Sequence, residues 1–138
     1  MNPPVRALYK IDARPDGPAQ ARRIVVRECS RRVSGRTLED FELLVSELVT
    51  NRILHGEPGA DNTVLLDLRI NSTLCCAVSD HGSGAGQRDG RLSAATRRDR
   101  SGDRPAGLRL VGRLADRWGS ARTRTGGTRV WCETAAAS

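Results

Sequence analysis

Aromatic residues are scarce in this sequence: Tyr9, Phe41, Trp118 and Trp131 are the four among 138 residues. No row of rings is available on which nucleic-acid bases could stack, and both tryptophans are expected to anchor the core or an interface. Lysine is scarcer still. Lys10 stands alone, so nearly all of the 23 basic charges are arginines, and against 16 acidic residues they leave a net charge of +7. Arginine suits bidentate contact with phosphate or carboxylate, although a coding bias toward arginine leaves the same trace. No apolar run approaches the length of a membrane span, and the first ten residues lack the apolar centre of a signal peptide. No membrane association is expected, and the expected setting is the cytoplasm. The four cysteines show no CxxC or Cys/His spacing, which argues against a zinc site and a disulfide scaffold. Cys75 and Cys76 are adjacent in a strand-like run and read as small buried hydrophobes on opposite faces.

What remains is a chain long enough to bury a core, read as one domain over residues 1–138. Residues 5–11 alternate as a first strand. Ala21, Ile24, Val25, Cys29 and Val33 recur at helical spacing with arginines opposite, giving an amphipathic helix that ends near Gly35. A second helix, with Thr37 as its N-cap, runs through Phe41, Leu44, Val45 and Leu48 to a stop at Gly56. Val64 to Ile70 and residues 73–79 form a hairpin about Asn71 and Ser72. Residues 82–104, interrupted by glycines, predict no packed element. Val111, Leu114, Ala115 and Trp118 share the face of a third helix, and two strands flank Gly126 and Gly127. Helices bracketing mostly antiparallel strands predict an α+β fold, a two-layer sandwich with helices covering one face of the sheet.

Three stretches carry polar groups that such a core does not need. In "ELVTNRILHG", residues 47–56, Glu47, Asn51 and His55 lie four residues apart along a largely apolar helix. They form either a solvated stripe or the lining of a site, in which Glu47 orients or deprotonates a nucleophile and Asn51 offers an oxygen to a hard cation such as Mg²⁺. His55, at the helix end, reads as a capping residue. In "VSDHGSGAG", residues 78–86, a strand ends in Asp80 and glycines follow, which is either a flexible turn or a pocket where the carboxylate accepts from an exocyclic amine. In "RPAGLRLV", residues 104–111, Gly107 opens a helix whose N-terminus is suited to phosphate.

In this order, these stretches resemble the ATP-binding domain of the GHKL superfamily, the Bergerat fold, and most closely the small bacterial anti-sigma-factor serine/threonine kinases. The resemblance spans residues 5 to 134: "SELVTNRILHG" is similar to the N-box, "SDHGSG" and "AGLRLV" to the two glycine boxes, and "GGTRVW" to the final glycine-threonine strand. It implies Glu47 as general base, Asn51 as ligand of Mg²⁺, and Asp80 as acceptor from the adenine amine. Gly82 and Gly84 would pass beneath base and ribose, Gly107 and Leu108 would begin the helix facing the phosphates, and Thr128 would support Asp80. Residues 85–106 would be the ATP lid, from which Arg104 or Arg100 could reach the γ-phosphate. The implied cofactors are ATP and Mg²⁺. The implied partners are a sigma factor and an anti-sigma-factor antagonist protein, with a homodimer as the working form and no direct nucleic-acid contact. Two positions depart from the pattern. Pro105 removes a backbone donor from the second glycine box. Arg52 stands where a small residue is usual, so it either points away from the nucleotide or intrudes on a neighbouring helix. The implied function is ATP-dependent control of transcription; the alternative is a catalytically weak or inactive binding module acting through partner competition.

Overall fold

The computed structural model describes residues 4–33, 35–56, 61–80, 93–96, 108–124 and 126–136, the backbone alone for 93–96. In chain order the elements are β1 (Val5–Asp12), α1 (Gly17–Cys29), α2 (Gly35–His55), β2 (Thr63–Ile70), β3 (Thr73–Ser79), β4 (Ser93–Thr96), α3 (Arg109–Leu114), β5 (Arg117–Arg122) and β6 (Thr128–Ala135). Among the described residues six strands form one sheet in the order β1-β2-β3-β6-β5-β4, and every neighbouring pair is antiparallel. This is the expected α+β architecture.

Alternation explains how the sheet meets the helices. Val64, Leu66, Leu68 and Ile70 of β2 and Leu74, Cys76 and Val78 of β3 are spaced by two and share one buried cluster with residues of α1 and α2. From α2, Phe41, Leu44, Val45, Leu48 and Val49 enter that cluster with no exposed surface. Ile24, Val25 and Cys29 of α1 join it, as periodicity predicts. The reverse face of the sheet is more polar. There Asp67 is ion-paired with Arg129 at 3.2 Å and with Arg69 at 3.6 Å, and Arg117 lies over the Trp131 ring at 5.6 Å. The turn between β2 and β3 is held by Asn71, whose Oδ1 accepts the Thr73 N–H at 2.9 Å.

Three local expectations are corrected. α2 begins at Gly35, which places Thr37 inside its first turn rather than at the N-cap. The span 82–104 contains a strand: β4 pairs with β5, Ser93 opposite Ser120 through Thr96 opposite Arg117. Finally, α3 ends at Leu114, and Ala115 is already extended at φ −81° and ψ 147°. Trp118 is therefore a strand residue, paired with Cys132 and 5% exposed, not a member of the helical face. The cause is competition between backbone partners. The Asp116 N–H donates to the Glu133 carbonyl and the Asp116 side chain accepts from the Ala135 N–H at 3.0 Å, so β6 captures the chain before another helical turn can form.

Candidate functional site

The site is built where the C-terminal half of α2 passes the end of β3. Its first component is the Asp80 carboxylate. Asp80 follows the last residue of β3 and is 3% exposed. A buried carboxylate needs donors, and the neighbouring strand supplies one: the Thr128 N–H reaches Asp80 Oδ1 at 2.8 Å, while the Asp80 N–H donates to the Thr128 carbonyl at 3.1 Å. Thr128 thus holds Asp80 through its main chain. Gly56, just past α2, closes another side. A Cβ there would lie 2.3 Å from Asp80 Oδ2 and 2.6 Å from the Arg52 carbonyl oxygen, so only glycine allows this close approach.

The second component is the polar edge of α2. Glu47 is half-buried, Asn51 is 2% exposed, and His55 is exposed at the helix end. One helical turn, about 6 Å of rise, separates each from the next. Asn51 and Asp80 come from segments distant in sequence, and a third side chain joins them. Arg52 turns inward: its Nη1 donates to Asp80 Oδ2 at 2.9 Å, and its Nη2 and Nε donate to Asn51 Oδ1 at 2.8 and 3.1 Å. Arg52 is 5% exposed. Burial pulls its guanidinium below the ordinary arginine value, and the Asp80 charge opposes that shift. Of the two orientations open to Arg52, the structure takes neither outright: the side chain intrudes on the residues proposed to read the ligand.

This arrangement tests the implied cofactors directly. Asn51 Oδ1 already accepts two hydrogen bonds from a cation, and a Mg²⁺ ion at the same oxygen would sit against a guanidinium charge. The site as it stands does not fit the metal. Among the described residues no cluster of three or more His, Cys, Asp and Glu side chains could hold an ion either. The Asp80 oxygens are likewise engaged, one by Thr128 and one by Arg52. Leu108 lies at the N-cap of α3, and its side chain is buried in the core at 1% exposure. α3 itself has six residues, fewer than two turns, so its dipole at the N-terminus is small. Gly82, Gly84, Arg104 and Gly107 lie outside the described residues, as does the 85–106 lid apart from β4.

A shallow depression of about 460 Å³ lies elsewhere, between α1 and α2, lined by Ala19, Arg22, Arg23, Val26, Arg27 and Glu42. None of these is a proposed ligand-reading residue. Among the described residues no helix is long and apolar enough to cross a membrane.

Comparison with known proteins agrees with the architecture. None of the curated proteins compared matches the sequence. Among solved structures, the RsbU and RsbW domains of Rv1364c from Mycobacterium tuberculosis superpose with a TM-score of 0.67 at 16% identity, covering 97% of this chain and 32% of that one. This chain thus spans about a third of the length of that structure, and the likeness is one of fold. The model of the histidine kinase-like ATPase domain matches residues 11–133, which includes α2, Asp80 and Thr128. The chain therefore belongs to the histidine kinase-like ATPase domain family, whose name implies ATP as its ligand.

Proposed function

We propose that this chain is an ATP-dependent regulatory protein kinase of the anti-sigma type, which holds a sigma factor and transfers the γ-phosphoryl group of ATP to a serine or threonine of an antagonist protein. The observation that carries the reading is the Asp80 carboxylate. It is buried at a strand end and held by the Thr128 N–H at 2.8 Å, as an acceptor for a base amine has to be, and it lies beside the helix that carries Glu47 and Asn51. The match to the ATPase family over residues 11–133 supports ATP as ligand. The likeness to a solved structure containing RsbU and RsbW domains supports the anti-sigma setting.

In this reading Asp80 selects adenine, and Glu47 accepts the proton of the partner hydroxyl as its oxygen attacks the γ-phosphorus, the bond from that phosphorus to the β-phosphate oxygen breaks and ADP leaves. Phosphoryl transfer depends chiefly on positioning and charge stabilisation, and Glu47, a half-buried carboxylate one helical turn before Asn51, is the residue proposed for the base. Arg104 is proposed to stabilise the charge on the transferred group, Gly82 and Gly84 to pass beneath base and ribose, and Gly107 and Leu108 to begin the helix that faces the phosphates, Leu108 through its main chain. The partner is to be found by co-purification from native lysate, after which transfer of label from γ-labelled ATP is measured. Glu47→Ala should abolish transfer while ATP binding survives; unchanged transfer removes Glu47 from the base role.

A second reading is favoured by the Arg52 contacts. A chain whose guanidinium occupies both Asn51 and Asp80 is equally suited to partner binding without nucleotide chemistry. Calorimetric titration with ATP separates the two: saturable binding supports the kinase, and its absence, in wild type and in a variant with Arg52 removed, supports the binding module.

A further inference from the structure

Arginine at position 52 is costly for α2. The position lies four residues after Leu48, seven after Val45 and eleven after Phe41, all fully buried, so it falls on the apolar stripe of the helix. An arginine there has to bring its charge into the interior, which is tolerated when the charge is paired and its N–H groups are satisfied. The charge is paired, and each of the three guanidinium nitrogens donates one hydrogen bond, all to residues assigned to ligand recognition. Asp80 neutralises the charge at 2.9 Å, and Asn51 Oδ1 accepts two further N–H groups. Gly56 packs against the same carboxylate oxygen, its missing Cβ leaving the space that Asp80 Oδ2 fills.

We propose that Arg52 is an internal occupant of the nucleotide site, so that the free chain is self-inhibited and ATP binds after the guanidinium has been displaced from Asp80 and Asn51. The inference rests on the reading of Asp80 as the base acceptor. A base amine offers Asp80 a neutral donor, whereas Arg52 offers a charge-assisted one, roughly twice as strong. The intramolecular partner also needs no association entropy. The resting equilibrium therefore favours the occupied state, and the intrinsic affinity for ATP is reduced by the fraction of molecules in which Arg52 is out. Arg52 acts as the residue that sets the nucleotide threshold. At Asn51 it also takes the place a divalent cation would have, and this explains why the arrangement does not fit Mg²⁺.

The test is calorimetric titration of the wild-type chain and of Arg52→Ala with ATP in excess magnesium, accompanied by NMR hydrogen exchange of the guanidinium Nε–H of Arg52 in the wild type. With the out state at about 10% or less of the free population, removing the side chain should tighten ATP binding about tenfold or more. The Nε–H should be protected in the free protein and lose protection as ATP saturates it. ATP affinities within about twofold of each other overturn self-inhibition but leave the ATP site intact, and weaker binding by Arg52→Ala makes Arg52 a nucleotide contact instead. Failure of both chains to bind overturns the reading of Asp80 together with the inference. If Arg52→Ala does not fold, the wild-type exchange decides: an Nε–H still protected at saturating ATP refutes displacement.

Discussion

Severing the Arg52–Asp80 pair should destabilise the fold far more than loss of a surface ion pair. The side chains are 6% and 3% exposed, so neither charge is relieved by water when its partner is removed. Breaking a buried pair from one side costs about 3–5 kcal/mol. An exposed pair such as Lys10–Asp61, at 62% and 46% exposure, contributes little, because water and salt screen both charges. For 138 residues the unfolding entropy near the midpoint is about 290 cal/mol/K, so Arg52→Ala should lower Tm by about 10–17 °C. Asp80→Asn keeps the volume and an acceptor for the Thr128 N–H, and should cost a similar amount by leaving the guanidinium uncompensated. The double variant removes both uncompensated charges, so its loss should fall short of the sum of the single losses by at least about 2 kcal/mol. Urea melts of the wild type and three variants, with equal m-values, give the coupling energy. Additivity within about 0.5 kcal/mol would refute the ion pair as an interior link between α2 and β3, however close the side chains lie.

Other parts of the structure give sharper or simpler outcomes. Phe41→Ala removes a fully buried ring and should cost about 3–5 kcal/mol in urea melts, against under about 0.5 kcal/mol for Leu54→Ala at a site 69% exposed. Gly56→Ala drives a Cβ to within 2.3 Å of Asp80 Oδ2 and should cost about 1–3 kcal/mol; a neutral effect in the same melts would mean that the helix end and Asp80 are not in close contact. Burial raises the Cys29 and Cys75 thiols from about 9 to about 11, so both should react slowly with thiol reagents at pH 8 in the native state and rapidly in denaturant. Because the folded values lie above the unfolded ones, these thiols favour the native state fully below pH about 9. That contribution declines as pH rises toward about 11, and urea midpoints across this window should fall less in a Cys29→Ala, Cys75→Ala double variant.

The elements that could be read in the sequence are those whose side chains carry a period. β1 and the β2–β3 hairpin follow from alternation, and α1 and the body of α2 from apolar residues three and four apart. β4 carries no such mark: Ser93, Ala94, Ala95 and Thr96 are small, and the strand exists because β5 offers its backbone. Trp118 shows the opposite failure. Its spacing from Val111 and Leu114 suits a helix, yet hydrogen bonds between Asp116 and β6 convert the segment to strand. Long-range pairing of this kind has no local signature, so periodicity alone misassigns it.

The same division runs through the site. The order of Glu47, Asn51, Asp80 and Thr128 along the chain was enough to suggest a shared pocket, and the main-chain bridge from Thr128 to Asp80 brings two of them together physically. Arg52 stands out in the sequence as an unusual residue for its place, and helix register bears on where its side chain goes. Leu48 at i−4, Val45 at i−7 and Phe41 at i−11 mark its position as interior, whereas Glu47, one helical step to the side of Leu48, lies at the half-buried edge. A charge forced onto the apolar stripe near the helix end has to find a carboxylate, and the strand end next to α2 supplies Asp80. Helix register thus dictates that Arg52 enters the protein, while the identity of its partner depends on how β3 and β6 present Asp80. The residue that most alters the expected chemistry is therefore one whose burial follows from the sequence and whose consequence follows from the tertiary contact.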